Sequence, residues 1–182
     1  MDDKDLVRAI ILGNRHAFKQ LIEQHKHLIG HMIAKLIDDP LEREELCQDV
    51  FIKVYNSIST FKGESKLSTW IATIAYRMAV NRLRTLKRSP EMDDIDKINF
   101  QHGETSDKLG DVDFSKFIHS LIDKMPLNYR TVLTLYYIEG FSYLEIMKVT
   151  ELPEGTVKNY LFRAKNKLKE LVTPYIGTEI ER

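Results

Sequence analysis

Residues 139–170 carry the pattern that most narrows the folds open to this chain. Gly140 is predicted to end one helix, because glycine adopts the left-handed C-cap conformation without steric cost. Ser142 and Glu145 have the spacing of a capping box, which predicts the start of a short helix. Pro153 suits the first turn of a second helix, where no backbone donor is needed. We therefore predict two helices joined by a tight turn, an arrangement that can place the second helix in the major groove of DNA.

The second of these helices has an apolar side and a polar side. Its apolar residues recur at intervals of three and four, which is typical of a buried stripe: Val157, Leu161, Ala164 and Leu168. Lysine and arginine suit phosphates and guanine, asparagine suits adenine, and phenylalanine can contact a thymine methyl group. The residues expected at DNA are Thr156, Lys158, Asn159, Phe162 and Arg163. The alternative is an ordinary helix pair with a solvated basic face, and the caps and the turn favour DNA binding over it.

Charge is segregated along the chain, although the formal net charge of the 182 residues is zero. A neutral total argues weakly against a nucleic-acid binder. Residues 38–49, however, contain six acidic residues and one basic residue, and residues 62–88 contain seven basic and one acidic. Residues 91–113 contain eight acidic and two basic residues. Blocks of opposite charge suggest separate surfaces for separate partners.

The apolar periodicity is helical almost throughout, and the predicted fold class is all-α. We expect two small helical domains, residues 1–89 and 113–176, the second being a four-helix domain that contains the helix–turn–helix. Residues 90–112 are acidic and poor in apolar groups, so they cannot bury enough surface to become ordered and are expected to form a flexible linker. Residues 177–182 are expected to be a C-terminal tail.

The single cysteine and the N-terminus indicate the compartment. Cys47 has no second cysteine to pair with and lies among apolar residues, so we expect a buried thiol in a reducing cytoplasm. The first residues lack the basic start and apolar run of a signal peptide. No stretch approaches the length of a membrane span, so we expect a cytoplasmic protein that is not inserted into a membrane.

The loop and helix at residues 61–88 interleave aromatic and basic side chains. Cations follow phosphates and aromatic faces stack on exposed bases, so this mixture suits partly opened DNA better than a closed duplex. The alternative is a core tryptophan beside a solvated basic face, and for Trp70 itself the core is the favoured position.

The acidic helix expected at residues 40–58 is unsuited to DNA, because carboxylates repel phosphates. Its partly apolar face is a plausible protein-docking surface. A solvated acidic helix is the alternative, and composition alone favours it.

Two other classes of protein, a metalloenzyme and a stand-alone regulator, are alternatives for this chain. His27 and His31 are four residues apart, a spacing that can share a metal, and His25 and Cys47 are near in sequence. No HExxH pattern, nucleophile elbow, phosphate-binding glycine loop or convincing carboxylate pair is present, so we expect neither an enzyme nor a metal or other cofactor. A stand-alone helix–turn–helix transcriptional regulator remains the main alternative, although it would normally need a dimerisation or ligand domain.

Three segments in order give the chain a family resemblance: residues 45–55, 61–71 and 153–165. Over essentially its whole length the chain resembles the extracytoplasmic-function sigma factors, the smallest members of the sigma-70 family. The resemblance implies that the first domain docks on the clamp helices of core RNA polymerase and captures the melted −10 promoter element. It implies that the second domain binds the −35 element as a duplex and contacts the polymerase flap. An anti-sigma factor is a common further partner in the family.

The resemblance also implies roles for individual residues. The polymerase contact would involve Glu45, Gln48, Asp49 and Phe51. The resemblance and the basic pattern of residues 61–88 together predict the contacts to the −10 element. These are Lys62, Ser65, Lys66, Trp70, Thr73, Tyr76, Arg77, Asn81 and Arg84. The −35 element would be contacted by Lys158, Asn159, Phe162 and Arg163.

The chain departs from the family pattern at two positions. Family members often carry asparagine where this chain has Arg77, and glycine where it has Glu151. A glutamate in the left-handed conformation costs about 1 kcal/mol. A promoter sequence is therefore not transferred to this chain from the family.

Overall fold

The computed structural model describes residues 2–87 and 114–176, and every regular element within those ranges is helical. The first group of helices consists of α1 (Asp3–Ile11), α2 (Arg15–Ala34), α3 (Pro40–Ser57) and α4 (Leu67–Lys87), with a 3-10 turn at Ile58–Thr60. The second group consists of α5 (Phe114–Asp123), α6 (Leu127–Leu133), α7 (Tyr143–Thr150) and α8 (Glu154–Ile176), with a π-helical turn at Thr134–Ile138. The all-α prediction with a four-helix second group is confirmed. The expected linker at 90–112 and tail at 177–182 lie outside the described residues.

Side-chain caps begin α2 and α3. The Asp39 carboxylate accepts a hydrogen bond of 2.9 Å from the backbone N–H of Glu42, and Pro40 occupies the first position of α3. At the start of α2, the side-chain oxygen of Asn14 accepts hydrogen bonds from the N–H groups of His16 and Ala17. Each cap satisfies donors that a helix leaves without an internal partner.

The apolar stripes of both groups meet in one buried cluster. Leu21, Ile29 and Ile71 are completely buried in the first group, as are Ile146 and Val157 in the second, and all five belong to the same cluster. Helix α7 packs against α4, and the π-helical turn packs against α2. The two groups therefore share an interface, which brings α7 onto a helix expected to bind DNA.

One helix differs from its predicted form. The spacing predicts a single helix over residues 127–138, but α6 ends at Leu133 and the chain continues as a π-helical turn. The N–H of Glu139 donates to the carbonyl of Thr134, five residues earlier, at 3.0 Å. Apolar spacing does not distinguish such a wide turn from an α-helix. Gly140 then ends the segment with φ at +68°, as predicted.

Two expectations from the sequence concerned the burial of Cys47 and membrane insertion. Cys47 is half-buried against the core, and burial raises the pKa of its thiol. No helix within residues 2–87 and 114–176 combines the length and the apolar character needed to cross a bilayer.

Candidate nucleic-acid interface

Helix α8 presents a row of exposed polar and aromatic side chains on the side opposite its buried stripe. Lys158, Asn159, Phe162 and Arg163 are all exposed, and Phe162 keeps 67% of its surface accessible. Val157, Leu161 and Ala164 are buried, as predicted. The exposed residues follow the spacing i, i+1, i+4 and i+5, so they form one strip along the first turns of α8. Thr156 is half-buried at the start of this strip.

Lys158 already has two partners. Its Nζ lies 2.6 Å from a carboxylate oxygen of Glu154 and 5.9 Å from the ring centroid of Tyr143. The hydrogen bond to Glu154 raises the pKa of Lys158 and lowers that of Glu154. Tyr143 in turn stacks on Tyr136, with ring centroids 5.3 Å apart. These contacts hold the lysine against the first helix of the motif.

The turn between α7 and α8 is set by caps and by one left-handed residue. Ser142 and Glu145 form the predicted capping box, with Ser142 N–H 2.8 Å from a Glu145 carboxylate oxygen. Glu151 caps the C-terminus of α7 and is the only described non-glycine residue with a positive φ, at 61°. The N–H groups of Thr156 and Val157 then donate to the carbonyl of Pro153, each at 3.0 Å. The predicted helix–turn–helix is thus present, with glutamate at its strained position.

The predicted −10 residues differ in their exposure to solvent. On α4 and the loop before it, Lys62, Lys66, Arg77, Asn81 and Arg84 are exposed, whereas Ser65, Trp70 and Thr73 are half-buried. The Trp70 ring packs against the core and meets the edge of Phe61, with centroids 5.6 Å apart. This position agrees with the core alternative for Trp70.

Tyr76 differs most from the expectation for a DNA-contacting residue. It is 7% exposed, and burial raises the pKa of its hydroxyl to about 12. The charges of Arg84 and Glu151 also act on it. A buried side chain cannot contact DNA in this arrangement, so Tyr76 would have to be uncovered first.

The acidic side of α7 covers part of the predicted −10 surface, which the sequence did not indicate. One carboxylate oxygen of Glu145 lies 3.0 Å from Lys66 Nζ and 3.2 Å from the hydroxyl of Thr69. Glu151 forms an ion pair with Arg77. Lys148 Nζ donates to the carbonyl of Glu64 at 3.1 Å. Two of the cations expected at DNA are therefore bound to carboxylates of the same chain.

Glu145 is the most perturbed carboxyl group of this contact. Burial acts to raise its pKa, but hydrogen bonds from Ser142 and Lys66 outweigh burial and lower the pKa to about 2. Its side chain is 15% exposed. Glu145 is therefore ionised at neutral pH and joins the cap of α7 to the surface of α4.

Helix α3 carries the candidate protein-docking surface. Glu45, Gln48 and Asp49 are exposed as expected, but Phe51 is half-buried and packs against the core. Leu41 and Ile52, which no sequence pattern singles out, are 73% and 58% exposed on the same helix. The exposed face is therefore both acidic and apolar, and Ile52 is more accessible than Phe51.

His27 and His31, the pair whose spacing could share a metal, lie on α2. The rings of His27 and His31 are 6.4 Å apart, and His31 Nδ1 lies 2.7 Å from a carboxylate oxygen of Glu139. Within the described ranges, no group of three or more histidine, cysteine, aspartate or glutamate side chains has a geometry that could hold a metal ion.

Comparison with known proteins decides the family. The family model described as "Sigma-70 region 2" matches residues 21–89, and the model described as "Sigma-70, region 4" matches residues 118–168. The RNA polymerase sigma-H factor of Pseudomonas aeruginosa is 30% identical over 184 residues, covering 96% of this chain and 95% of that protein. The chain belongs to the sigma-70 family, as an extracytoplasmic-function sigma factor. The expected family resemblance is confirmed.

Further likenesses agree with this assignment. The sigma factor is 27% identical to the ECF RNA polymerase sigma-E factor of Escherichia coli K12, over 97% of each chain. The solved structure of CnrH with the cytosolic domain of CnrY matches the fold with a TM-score of 0.68 at 19% identity, over 94% of this chain and 97% of that one. RpoE of Bartonella quintana, solved with the anti-sigma factor NepR, matches with a TM-score of 0.64 at 25% identity, over 86% and 96%.

Membership of this family fixes the general activity. A sigma factor is a non-enzymatic subunit of RNA polymerase that recognises promoters and starts transcription. A stand-alone regulator would share the helix–turn–helix, but it would not need the region 2 segment that this chain carries at residues 21–89. The sigma factor interpretation therefore replaces that alternative.

Proposed function

We propose that this sigma factor divides promoter recognition between α8, for the −35 duplex, and α4 with its preceding loop, for the melted −10 strand. The observation that carries the proposal is the single exposed strip on α8, because its residue types match the donors and apolar groups used in major-groove recognition. Lys158 and Arg163 would contact phosphate or guanine, Asn159 adenine, and Phe162 a thymine methyl group. Thr156 would lie at the backbone near the start of the helix.

The −10 assignment draws on a second exposed row. Arg77, Asn81 and Arg84 recur at intervals of four and three residues, so they lie along one side of α4. Lys62 and Lys66 continue the positive charge into the loop. Cations in a row can follow the backbone of a single strand. In this proposal Ser65, Trp70 and Thr73 line the adjoining surface that receives unpaired bases, and Tyr76 joins this surface only once it is uncovered.

We assign the exposed face of α3 to core polymerase. Glu45, Gln48 and Asp49 share this face with the apolar Leu41 and Ile52. Apolar groups rimmed by carboxylates suit a basic and partly apolar protein surface, and the clamp helices are the partner that the family implies. The second domain would contact the flap.

The remaining assignments concern organisation and regulation. We propose domains at residues 1–89 and 113–176, with the acidic segment 90–112 joining them within the polymerase. An anti-sigma factor is a further proposed partner, since the similar RpoE of Bartonella quintana was solved with NepR. The proposed location is the cytoplasm, where bacterial polymerase and promoters meet.

Run-off transcription on genomic fragments tests the proposal. Bacterial core polymerase alone should give no defined transcripts, and addition of the purified chain should give transcripts from a small set of start sites. Sequences upstream of those starts should share two elements. The proposal fails if the chain binds core polymerase yet confers no preference among fragments.

A further inference from the structure

Three side chains form a line from the π-helical turn to the exposed strip of α8. Tyr136 lies within that turn, where it is half-buried and packs against the core. Its ring stacks on the ring of Tyr143, at the start of α7, with centroids 5.3 Å apart and planes 30° apart. The ring centroid of Tyr143 in turn lies 5.9 Å from Nζ of Lys158. Two aromatic rings thus connect the core to a lysine that we assign to DNA.

We infer that Tyr136 is a positioning residue for recognition of the −35 element: through Tyr143 it holds Lys158 in place for DNA, and it does not touch DNA itself. The inference rests on the assignment of Lys158 to the −35 element in the proposed function. It adds a residue that lies outside the exposed strip of α8. A lysine side chain has many rotamers, so restricting them before binding reduces the entropy that is lost when the lysine meets DNA.

The π-helical turn supports this role, because it sets the direction in which the chain leaves α6 towards α7. A π-type hydrogen bond spans five residues and an α-type bond four, so the turn contains one extra residue. One extra residue rotates the exit of the chain by about 100° around the helix axis. With this exit Tyr136 stacks on Tyr143, whereas its neighbour Tyr137 stays 58% exposed. Turns of this kind are frequent at functional sites.

The contact between Lys158 and Tyr143 is compatible with DNA binding. An aromatic face attracts a cation without using any of its N–H donors, so the ammonium group keeps three donors for other partners. The Lys158 side chain is 57% exposed, and its end is therefore accessible to DNA. A hydrogen bond with Tyr143 also raises the pKa of the Tyr136 hydroxyl, so the two rings are joined by a polar contact as well as by stacking. The lysine can therefore remain over the ring in the complex.

NMR of the full chain without DNA tests the positioning directly. The methylene protons next to Nζ of Lys158 lie near the face of Tyr143, so the ring current should displace their resonances. Tyr136→Leu removes the stacked ring and keeps apolar volume, and it should move these resonances towards those of the exposed Lys169. Tyr136→Phe keeps the ring, and Tyr137→Leu changes the exposed neighbour, so both should leave them close to their original values. Unchanged resonances in Tyr136→Leu, or equal shifts in all three variants, would overturn the inference.

A double-mutant cycle gives the functional result. The holoenzyme is assembled with each variant, and gel shifts measure its binding to a duplex with the −35 element of a promoter selected in the run-off experiment. Tyr136→Leu should weaken binding about twofold to fivefold when Lys158 is present, and should cause no further loss in a Lys158→Ala chain. No loss, or an equal loss in both backgrounds, would overturn the inference. Full binding by Lys158→Ala alone would instead overturn the −35 assignment of Lys158, while the NMR result still decides whether Tyr136 positions it.

Discussion

Lys35 Nζ lies 2.5 Å from a carboxylate oxygen of Asp123, joining the end of α2 to the end of α5. The lysine side chain is 7% exposed, whereas the aspartate side chain is 40% exposed. The two groups of helices thus share a buried positive charge in the first group and its counterion in the second. Removal of the lysine charge and removal of the aspartate charge therefore have different physical consequences.

We expect Asp123→Asn to lower the free energy of unfolding by about 1–3 kcal/mol, because it leaves a buried ammonium group without its counterion. Lys35→Met removes the charge and retains apolar volume, so it should cost less. Urea unfolding followed by circular dichroism measures both. Equal losses in the two variants would show that the isolated charge is not the source of the cost.

The lowered pKa of Glu145 predicts that the free energy of unfolding falls as the pH becomes acidic. Its folded pKa of about 2 lies below the value of roughly 4.3 for an unfolded glutamate. The ionised group therefore contributes stability at pH values above the unfolded pKa, and the contribution is lost as the pH falls towards the folded pKa.

The matched variant for this prediction is Glu145→Gln, which keeps the shape of the capping box. The unaltered chain should lose more unfolding free energy between about pH 5 and about pH 2 than Glu145→Gln loses. Other carboxyl groups contribute equally to both chains, so the difference isolates Glu145. Parallel losses would contradict the prediction.

The positive φ of Gly140 predicts that a residue with a Cβ at this position would strain the backbone. Its φ is +68°, and a Cβ placed there would have no atom within 4 Å, so Gly140→Ala should act through conformational strain alone. We expect a loss of about 1–2 kcal/mol. Gly30→Ala is the control, since it also has open space but lies inside α2 without a positive φ, and it should stabilise by about 0.5–1 kcal/mol. Thermal unfolding distinguishes the two signs.

Arg163→Ala should weaken binding of a −35 duplex by about 1–3 kcal/mol if the arginine makes a bidentate base contact. Lys169→Ala removes an exposed cation further along the same helix and should have a much smaller effect. Gel shifts of the holoenzyme at one fixed salt concentration measure the difference. Assembly with core polymerase should be unchanged in both variants, and equal DNA losses would contradict the assignment.

Ile52→Asp should weaken assembly with core polymerase without changing the fold, because Ile52 is 58% exposed on the α3 face. Ile11→Asp is the matched control, with an isoleucine that is 54% exposed on α1. Co-migration with core polymerase on size exclusion measures assembly. Phe51→Asp is a poorer probe, since its ring packs against the core and the change would destabilise the domain. Similar assembly by the Ile52 and Ile11 variants would exclude the α3 face.

Local chemistry explains why much of the fold could be predicted. The caps at Asp39 and Ser142, and the left-handed Gly140, depend on residues within a few positions of one another. The buried and exposed sides of α8 follow from the helical period alone. The residue types on its exposed strip therefore predict the candidate −35 face from the sequence alone.

Contacts between distant residues could not be predicted in this way. Lys66 and Glu145 are 79 positions apart, and Arg77 and Glu151 are 74 positions apart, so no periodicity relates them. The burial of Tyr76 and the position of Phe51 depend on how neighbouring helices pack. The π-helical turn after α6 likewise leaves the apolar pattern unchanged.

The pair between Lys158 and Glu154 has a consequence for the thermodynamics of promoter binding. A lysine that is free in solution releases condensed cations from DNA when it meets a phosphate. Lys158 must instead leave the carboxylate of Glu154 in order to contact a phosphate. The unpaired carboxylate of Glu154 then lies near the phosphate backbone of the DNA. Salt titration of −35 binding should therefore give a shallower slope than the number of basic side chains on α8 would suggest.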